Sequence, residues 1–244
     1  MKTQLITLST GAVAKFAVAP SKKSLPGILI VHGWKSDPFK ETGTYEQIQN
    51  TLVHAGYACL ILCLRGHIPA LGDINTLTRE DHLADMRCGI KLLGEIPEVA
   101  SVVGACGTSY GAYLLGILCA EVKFSLLALR APALYPDTGW TQPSELVIAW
   151  PDLKAWRSVI HKATESHALW GMTLFKGDMA IFPSELDGSM PPAVSDSYLE
   201  ATVQARTTNK IIIEGARHTL NEVEKKIFLS KLRFWFISHY PSLL

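Results

Sequence analysis

The sequence lacks several features that would assign the protein to a simple class. Its 23 basic and 22 acidic residues leave a net charge of +1, which offers no electrostatic attraction to nucleic acid or to an anionic membrane. No uninterrupted apolar run reaches the length of about 18 residues that indicates a transmembrane helix. Repeats and low-complexity tracts are also missing. We therefore expect neither nucleic acid nor a membrane as a partner.

Motifs for metal ions and dinucleotides are missing as well. The histidine and acidic residues are scattered, without an H-x-x-x-H or H-E-x-x-H spacing, which disfavours a zinc site. No G-x-G-x-x-G follows the first apolar strand, so nothing indicates a dinucleotide cofactor. We expect a protein that requires no metal ion and no organic cofactor.

Paired cysteines are a third absence. The five cysteines are odd in number and contain no C-x-x-C pair, and most lie in apolar segments, where cysteine behaves as a small hydrophobic residue. This favours a reducing compartment, and we expect a cytoplasmic protein. Near the N-terminus only Ala17-Val18-Ala19 resembles a signal-peptide cleavage site, and polar residues interrupt the apolar stretch before it. We expect a β-hairpin there, with strands over residues 4–8 and 13–19.

The 244 residues do contain an alternation of apolar strands with helices. Strands are predicted over residues 28–31, 57–64, 101–106, 124–129, 179–182 and 210–214, and helices over 44–55, 79–93, 112–120, 192–205 and 220–239. Thr78 with Asp81, and Thr219 with Glu222, have the spacing of capping boxes. Prolines and four tryptophans interrupt the alternation over about residues 132–176, which indicates an inserted cap. The pattern predicts one α/β domain over residues 1–244, with a mostly parallel sheet covered by helices on both faces.

The most informative segment is residues 107–111, Gly-Thr-Ser-Tyr-Gly, between a predicted strand and a predicted helix. This context is typical of a nucleophile elbow, a sharp turn that exposes a serine hydroxyl. Because strand and helix backbones approach closely in such a turn, side chains at positions 107 and 111 would collide, and glycine avoids this. We therefore predict Ser109 to be a nucleophile.

A serine hydroxyl needs a base within hydrogen-bond reach, and the base needs an orienting group. His218 directly follows the last predicted strand, so it belongs to the same sheet edge as Ser109. Asp187 follows the preceding strand, where its carboxylate can orient an imidazole and stabilise its charged form. Glu185, two residues earlier, and Asp137, in the insertion, remain alternatives for this acid.

The same elbow predicts an oxyanion hole. Its donors are expected to be the backbone N–H groups of Tyr110, directly after the serine, and of Trp34, in the loop after the first parallel strand. His32 and His67 are expected to have structural roles within their loops.

A substrate pocket is harder to assign. Four residues of the predicted insertion are candidates for an apolar acyl or aryl pocket, and they can equally form the small core that an insertion needs to stay ordered: Trp140, Trp150, Trp156 and Met172. Arg130 ends a strand near the predicted active edge. It can recognise a substrate carboxylate, although a structural salt bridge is favoured.

Four blocks carry a resemblance to the α/β-hydrolase family: residues 30–34, 65–67, 107–111, and 185–191 followed by 215–218. Ser109, Asp187 and His218 also occur in the family's order of nucleophile, acid and base. The resemblance implies about eight strands and a cap inserted after the sixth, and is strongest to small bacterial esterases and to dienelactone-hydrolase or serine-peptidase-like members.

This resemblance implies a soluble serine hydrolase that cleaves small-molecule carboxylic esters through an acyl-enzyme. The fold hosts many activities, so cleavage of amides, peptides or thioesters by the same residues is one alternative. A non-catalytic, ligand-binding relative is the other.

Overall fold

The computed structural model describes residues 1–240. These residues form one sheet of eight strands: β1 (Lys2–Thr7), β2 (Val13–Val18), β3 (Leu25–Val31), β4 (Ala58–Cys63), β5 (Val99–Thr108), β6 (Leu126–Arg130), β7 (Asp178–Phe182) and β8 (Thr207–Lys210). The α-helices are α1 (Thr44–His54), α2 (Arg79–Glu95), α3 (Tyr110–Leu118), α4 (Ser144–Ile148), α5 (Leu153–Trp156), α6 (His167–Thr173), α7 (Pro192–Ala201) and α8 (Glu222–His239).

The strand order is β1-β2-β4-β3-β5-β6-β7-β8. β2 pairs antiparallel with β1 and with β4, and all other neighbours are parallel. The predictions of an N-terminal hairpin and of a mostly parallel sheet of about eight strands are therefore confirmed. Parallel neighbours place the carboxyl ends of β3, β5, β6, β7 and β8 at one edge, which is where the loops with functional side chains begin.

Helices cover both faces of this sheet, as the alternating sequence predicts. In β3, Leu29 and Val31 join a core that includes residues of α2, α3, α6 and α7, whereas Ile28 and Ile30 join a core with α1 and α8. Strands buried on both faces need near-continuous apolar sequence, which explains why β3 and β4 carry no polar alternation.

The insertion lies between β6 and β7, after the sixth strand as expected, and contains α4, α5 and α6. Its last helix packs closely on α3. A Cβ atom on Gly171 of α6 would lie only 2.2 Å from the carbonyl oxygen of Gly116, so this close approach requires glycine. The insertion is thereby attached to the helix that follows Ser109.

Two predicted boundaries are wrong at the carboxyl-terminal end. β8 begins at Thr207, three residues before the predicted start, because this edge strand is polar and exposed and gives no hydrophobic signal. The capping box of α8 is formed by Asn221 and Glu224, not by Thr219 and Glu222. The Thr78–Asp81 capping box is confirmed.

Candidate active site

Ser109 lies in the turn between β5 and α3, with a φ of 50°. This left-handed conformation is uncommon for a residue with a side chain, and such strain persists only where the surroundings fix it. Here the Ser109 N–H donates to Arg130 O (2.9 Å), and its carbonyl accepts from the N–H groups of Tyr113 (3.1 Å) and Ala133 (3.0 Å). The turn is therefore held on both sides of the hydroxyl.

The two glycines of the turn are sterically required. A Cβ atom on Gly107 would lie 2.8 Å from the Cα atom of Ala112, and one on Gly111 would lie 2.5 Å from the carbonyl oxygen of His32. Both separations are below the 3.0 Å that real Cβ atoms respect. The expected collision at positions 107 and 111 is thus present in the structure.

Three side chains from three loops meet at this edge of the sheet. The Oγ atom of Ser109 lies 3.2 Å from Nε2 of His218, and Nδ1 of His218 lies 2.7 Å from Oδ2 of Asp187. An ionised carboxylate only accepts, so Nδ1 carries the proton and Nε2 is free to accept from the serine hydroxyl. The other oxygen of Asp187 accepts the N–H groups of Ser189 and Met190, each at 2.9 Å.

The carboxylate of Asp187 remains ionised although its side chain is only 2% exposed. Burial by itself would raise the pKa of Asp187, but the hydrogen bond and charge of His218 and the two backbone donors outweigh burial, so the pKa is lowered overall. An ionised carboxylate at this position fixes the tautomer of the imidazole.

The two alternative acids lie elsewhere. Oε2 of Glu185 accepts the N–H of Gly215 (2.7 Å), and Oδ1 of Asp137 accepts the N–H of His167 (2.9 Å). Neither carboxylate is a hydrogen-bond partner of His218. Of the three candidates, the structure brings only Asp187 to the imidazole.

The two expected oxyanion donors are free within residues 1–240, where neither the Tyr110 N–H nor the Trp34 N–H has a hydrogen-bond acceptor. Tyr110 is the first residue of α3, and the first N–H groups of a helix have no partner inside the helix. The neighbouring N–H of Gly33, in contrast, donates to the hydroxyl of Tyr45 (2.8 Å). No motif indicates this contact, because Tyr45 belongs to α1, twelve positions later.

Three buried histidines support the loops behind the site. Nε2 of His32 accepts the Leu64 N–H (3.1 Å), and Nδ1 of His67 accepts the Lys35 N–H (3.0 Å), which holds the loop that carries Trp34. Burial lowers the pKa of His32 and of His82 to about 4, and burial with its neighbouring histidines also lowers the pKa of His67. Neutral imidazoles suit these accepting roles.

We expect mild acid to destabilise the fold, because the buried His32 and His82 take up protons more readily when the chain is unfolded. His32 and His82 have a pKa of about 4 when folded and 6.5 in the reference state, so between these values the unfolded chain binds more protons. Stability is full above pH 6.5 and falls with the pH down to about 4, by up to about 1.4 kcal/mol per pH unit for each histidine.

The measurement is the urea midpoint of unfolding at a series of pH values from neutral to about pH 5. His82→Gln removes one titrating group and should make the decline shallower. A midpoint that is constant or rises as the pH falls would contradict this prediction.

A cavity of about 270 Å³ opens beside Ser109 and His218. Its wall combines apolar and polar groups. Trp34 and Leu220 are the large apolar members, Arg130 also lines it, and there are five further hydroxyl side chains: Ser36, Thr44, Tyr45, Thr108 and Thr219. A larger cavity of about 490 Å³ lies at the amino ends of β6 and β7, where neither Ser109 nor His218 lines it. The chemistry therefore belongs to the smaller cavity.

None of the four insertion residues considered for an acyl pocket lines the cavity at Ser109. Met172 is fully buried in the core, and Trp140, Trp150 and Trp156 are partly buried and pack against the same core. The physical reason is that a short insertion must bury its own apolar side chains to remain ordered. The structure therefore favours the core role that the sequence left open.

Neither a metal-binding cluster nor a membrane-spanning helix occurs within residues 1–240. No group of three or more His, Cys, Asp or Glu side chains is arranged to hold a metal ion in this part of the chain. None of its helices combines the length and the apolar character needed to cross a membrane.

No protein-family model matches the sequence, and no curated protein matches it. Solved structures do match. Est1E from Butyrivibrio proteoclasticus with bound ferulic acid aligns with a TM-score of 0.74 and 15% identity, over 98% of this chain and 99% of that chain. Dienelactone hydrolase from Anabaena variabilis aligns with a TM-score of 0.67 and 15% identity, over 98% of each chain.

The acylaminoacyl peptidase of Pyrococcus horikoshii aligns with a TM-score of 0.70 and 15% identity, over 97% of this chain but 41% of that longer chain. At such identities the likeness is one of fold. The strand order, the serine turn between β5 and α3 and the insertion after β6 agree with it. The chain therefore has the α/β-hydrolase fold.

Proposed function

We propose that the protein is a serine hydrolase that cleaves carboxylic esters of small molecules. The observation that carries this proposal is the hydrogen-bonded series Ser109–His218–Asp187 at the carboxyl edge of the sheet. A serine in a strained turn, an imidazole oriented to accept its proton and a buried carboxylate are the three parts that activate a hydroxyl nucleophile.

The reaction begins when Nε2 of His218 takes the proton of Ser109 as Oγ bonds to the acyl carbon. The negative charge that develops on the carbonyl oxygen is stabilised by the N–H groups of Tyr110 and Trp34, and Asp187 stabilises the imidazolium. The imidazolium then protonates the departing alcohol, which leaves an acyl group on Ser109. Water, deprotonated by His218, releases the acid and restores the hydroxyl.

We propose esters rather than other acyl substrates because dienelactone hydrolase, whose substrate is a cyclic ester, aligns over 98% of each chain. The likeness to an acylaminoacyl peptidase makes amide cleavage the second candidate. A panel of p-nitrophenyl esters, p-nitroanilides and thioesters of the same short acyl groups separates the two. The small volume of the cavity predicts faster turnover of short acyl groups than of long ones.

Labelling with a fluorophosphonate tests the nucleophile directly. We expect one covalent adduct, located at Ser109 by peptide mass analysis, because only an activated serine attacks this phosphorus centre. Ser36→Ala is the matched control, since Ser36 lines the same cavity without an imidazole partner and its removal should leave labelling intact. Failure of the purified protein to react would favour the non-catalytic, ligand-binding alternative.

A further inference from the structure

Three arginine side chains are buried in the protein: Arg79, Arg130 and Arg157 are 1%, 2% and 7% exposed. Within residues 1–240 none of them has a carboxylate oxygen within 4 Å. Burying a charge without an oppositely charged partner costs free energy of folding unless hydrogen bonds compensate for it. The burial of each of these three arginines therefore needs a physical reason.

For two of the arginines the reason is structural. Arg79 donates to the carbonyl oxygens of Pro136 (2.8 Å) and Thr138 (2.7 Å), and Arg157 donates from Nε to that of Leu134 (2.9 Å). All three acceptors belong to the segment that follows β6. Arg79, in α2, therefore holds the insertion against the rest of the domain, and Arg157 joins two parts of the insertion to each other.

Arg130 is different because its contacts lead to the candidate active site. At the end of β6 it donates from Nη1 to Phe182 O (3.2 Å) and from Nη2 to Ser184 Oγ (2.7 Å). The same Nη2 lies 3.2 Å from the carbonyl oxygen of His218 and 3.4 Å from that of Arg217. Ser184 in turn donates its hydroxyl to Arg217 O (2.6 Å). One guanidinium thus joins the ends of β6 and β7 to the loop that carries the imidazole.

The first part of the loop between β8 and α8 is held by the Gly215 N–H, which donates to Glu185 Oε2 (2.7 Å), and by the Ala216 carbonyl, which accepts from the Leu186 N–H (2.8 Å). Beyond it, within residues 1–240, the carbonyl oxygens of Arg217 and His218 accept from no group other than Arg130 and Ser184. These last bonds are therefore the ones that restrain the His218 backbone itself, and with it the reach of Nε2 to Ser109. Displacements of about 1 Å at reacting groups lower rates by about 100-fold.

The charge of Arg130 also acts on the site. Burial lowers the pKa of Arg130 to about 10, and Asp187, Tyr45 and Glu224 are the groups whose charges oppose that shift. The guanidinium therefore stays protonated at neutral pH and balances the buried carboxylate of Asp187.

We propose that Arg130 is a positioning residue for the reaction, which holds the backbone of His218 in register with Ser109. The inference rests on the proposed hydrolase function. It deepens that function, because the role assigned to the guanidinium is separate from the three side chains that handle protons and the acyl group.

Arg130→Met and Arg130→Lys test this role. Arg130→Met, which removes every hydrogen bond of the guanidinium, should lower kcat for a p-nitrophenyl ester by about 100-fold with little change in KM. Arg130→Lys should also lower kcat, because an ammonium cannot span the same acceptors. Arg157→Met is the matched control, a buried arginine in the insertion whose loss should leave kcat and KM unchanged.

Ser184→Ala provides a further variant that keeps the guanidinium. It removes the hydroxyl that links Arg130 to Arg217 O, and it should lower kcat less than Arg130→Met does. If Arg130→Met does not fold, the kcat values of Arg130→Lys and Ser184→Ala decide the matter. Folded variants with the kcat of the unsubstituted protein would overturn the inference.

Failure of this inference is distinguishable from failure of the proposed function. If the unsubstituted protein does not react with a fluorophosphonate at Ser109 and hydrolyses no ester, the proposed function is wrong and the Arg130 role is overturned with it. If the unsubstituted protein reacts and turns over esters, but the folded Arg130 variants match it in kcat, only the positioning role is wrong.

Discussion

Ser109→Ala is expected to lower kcat for p-nitrophenyl esters by about 10,000-fold or more, because without Oγ there is no atom to form the acyl-enzyme. The fold should persist. The only hydrogen-bond partner of this hydroxyl among the described residues is His218, and the turn is held by backbone bonds that alanine keeps. The measurement pairs kcat with the urea midpoint of unfolding.

Two comparisons make the Ser109 result specific. Ser158→Ala removes an exposed hydroxyl that donates only to Lys154 O, and it should keep the turnover of the unsubstituted protein. Residual turnover by Ser109→Ala is expected to be independent of fluorophosphonate, since the reactive hydroxyl is gone. Turnover close to that of the unsubstituted protein would remove the basis of the acyl-enzyme mechanism.

The parts of the site that follow from sequence are those fixed by local chemistry. A glycine pair around Ser109 predicts a sharp turn, because backbone atoms of α3 and β3 leave no space for Cβ atoms there. His218 directly precedes the segment leading into α8, and Asp187 follows β7, so parallel strand order alone places both near Ser109. The positions of Ser109, His218 and Asp187 could therefore be predicted mainly from the β5–α3 turn and the strand order.

The substrate cavity could not be predicted in the same way, because its wall depends on which loops meet in three dimensions. Thr44 and Tyr45 begin a helix whose sequence shows only an amphipathic pattern, yet they line the cavity beside Ser109. Trp156, in contrast, has the residue type of an aryl pocket but stacks on His161, with ring centroids 3.7 Å apart. Residue type without position could not decide between a pocket wall and a small core for the tryptophans.

The hydrogen bonds of Arg130 could not be predicted from the sequence either. For an arginine at the end of a strand the sequence favours a salt bridge, but in the structure Arg130 donates to carbonyl and hydroxyl oxygens instead. These acceptors come from segments 52 to 88 positions away. Only the parallel packing of β6 and β7 brings them within reach.

Asp187→Asn is expected to lower kcat/KM by about 10,000-fold, as the loss of a triad carboxylate does. The reason is the hydrogen bonding of Oδ1, the carboxylate oxygen that does not contact His218. Oδ1 accepts two backbone N–H groups, from Ser189 and Met190, so an asparagine must present its oxygen to these donors. Its NH2 group then faces Nδ1 of His218, which must accept, and the proton moves to Nε2. A protonated Nε2 cannot receive the proton of Ser109.

The alternative acids give this prediction its controls. Glu185→Gln keeps an oxygen for the Gly215 N–H, and Asp137→Asn keeps one for the His167 N–H, so both variants should retain nearly all of the turnover. If Asp187→Asn stayed close to the unsubstituted protein while Glu185→Gln or Asp137→Asn lost activity, the acid would have been misassigned. Because Asp187→Asn fixes the imidazole in the wrong tautomer rather than disrupting the loop, its fluorophosphonate labelling should slow in parallel with kcat/KM while its urea midpoint stays nearly constant.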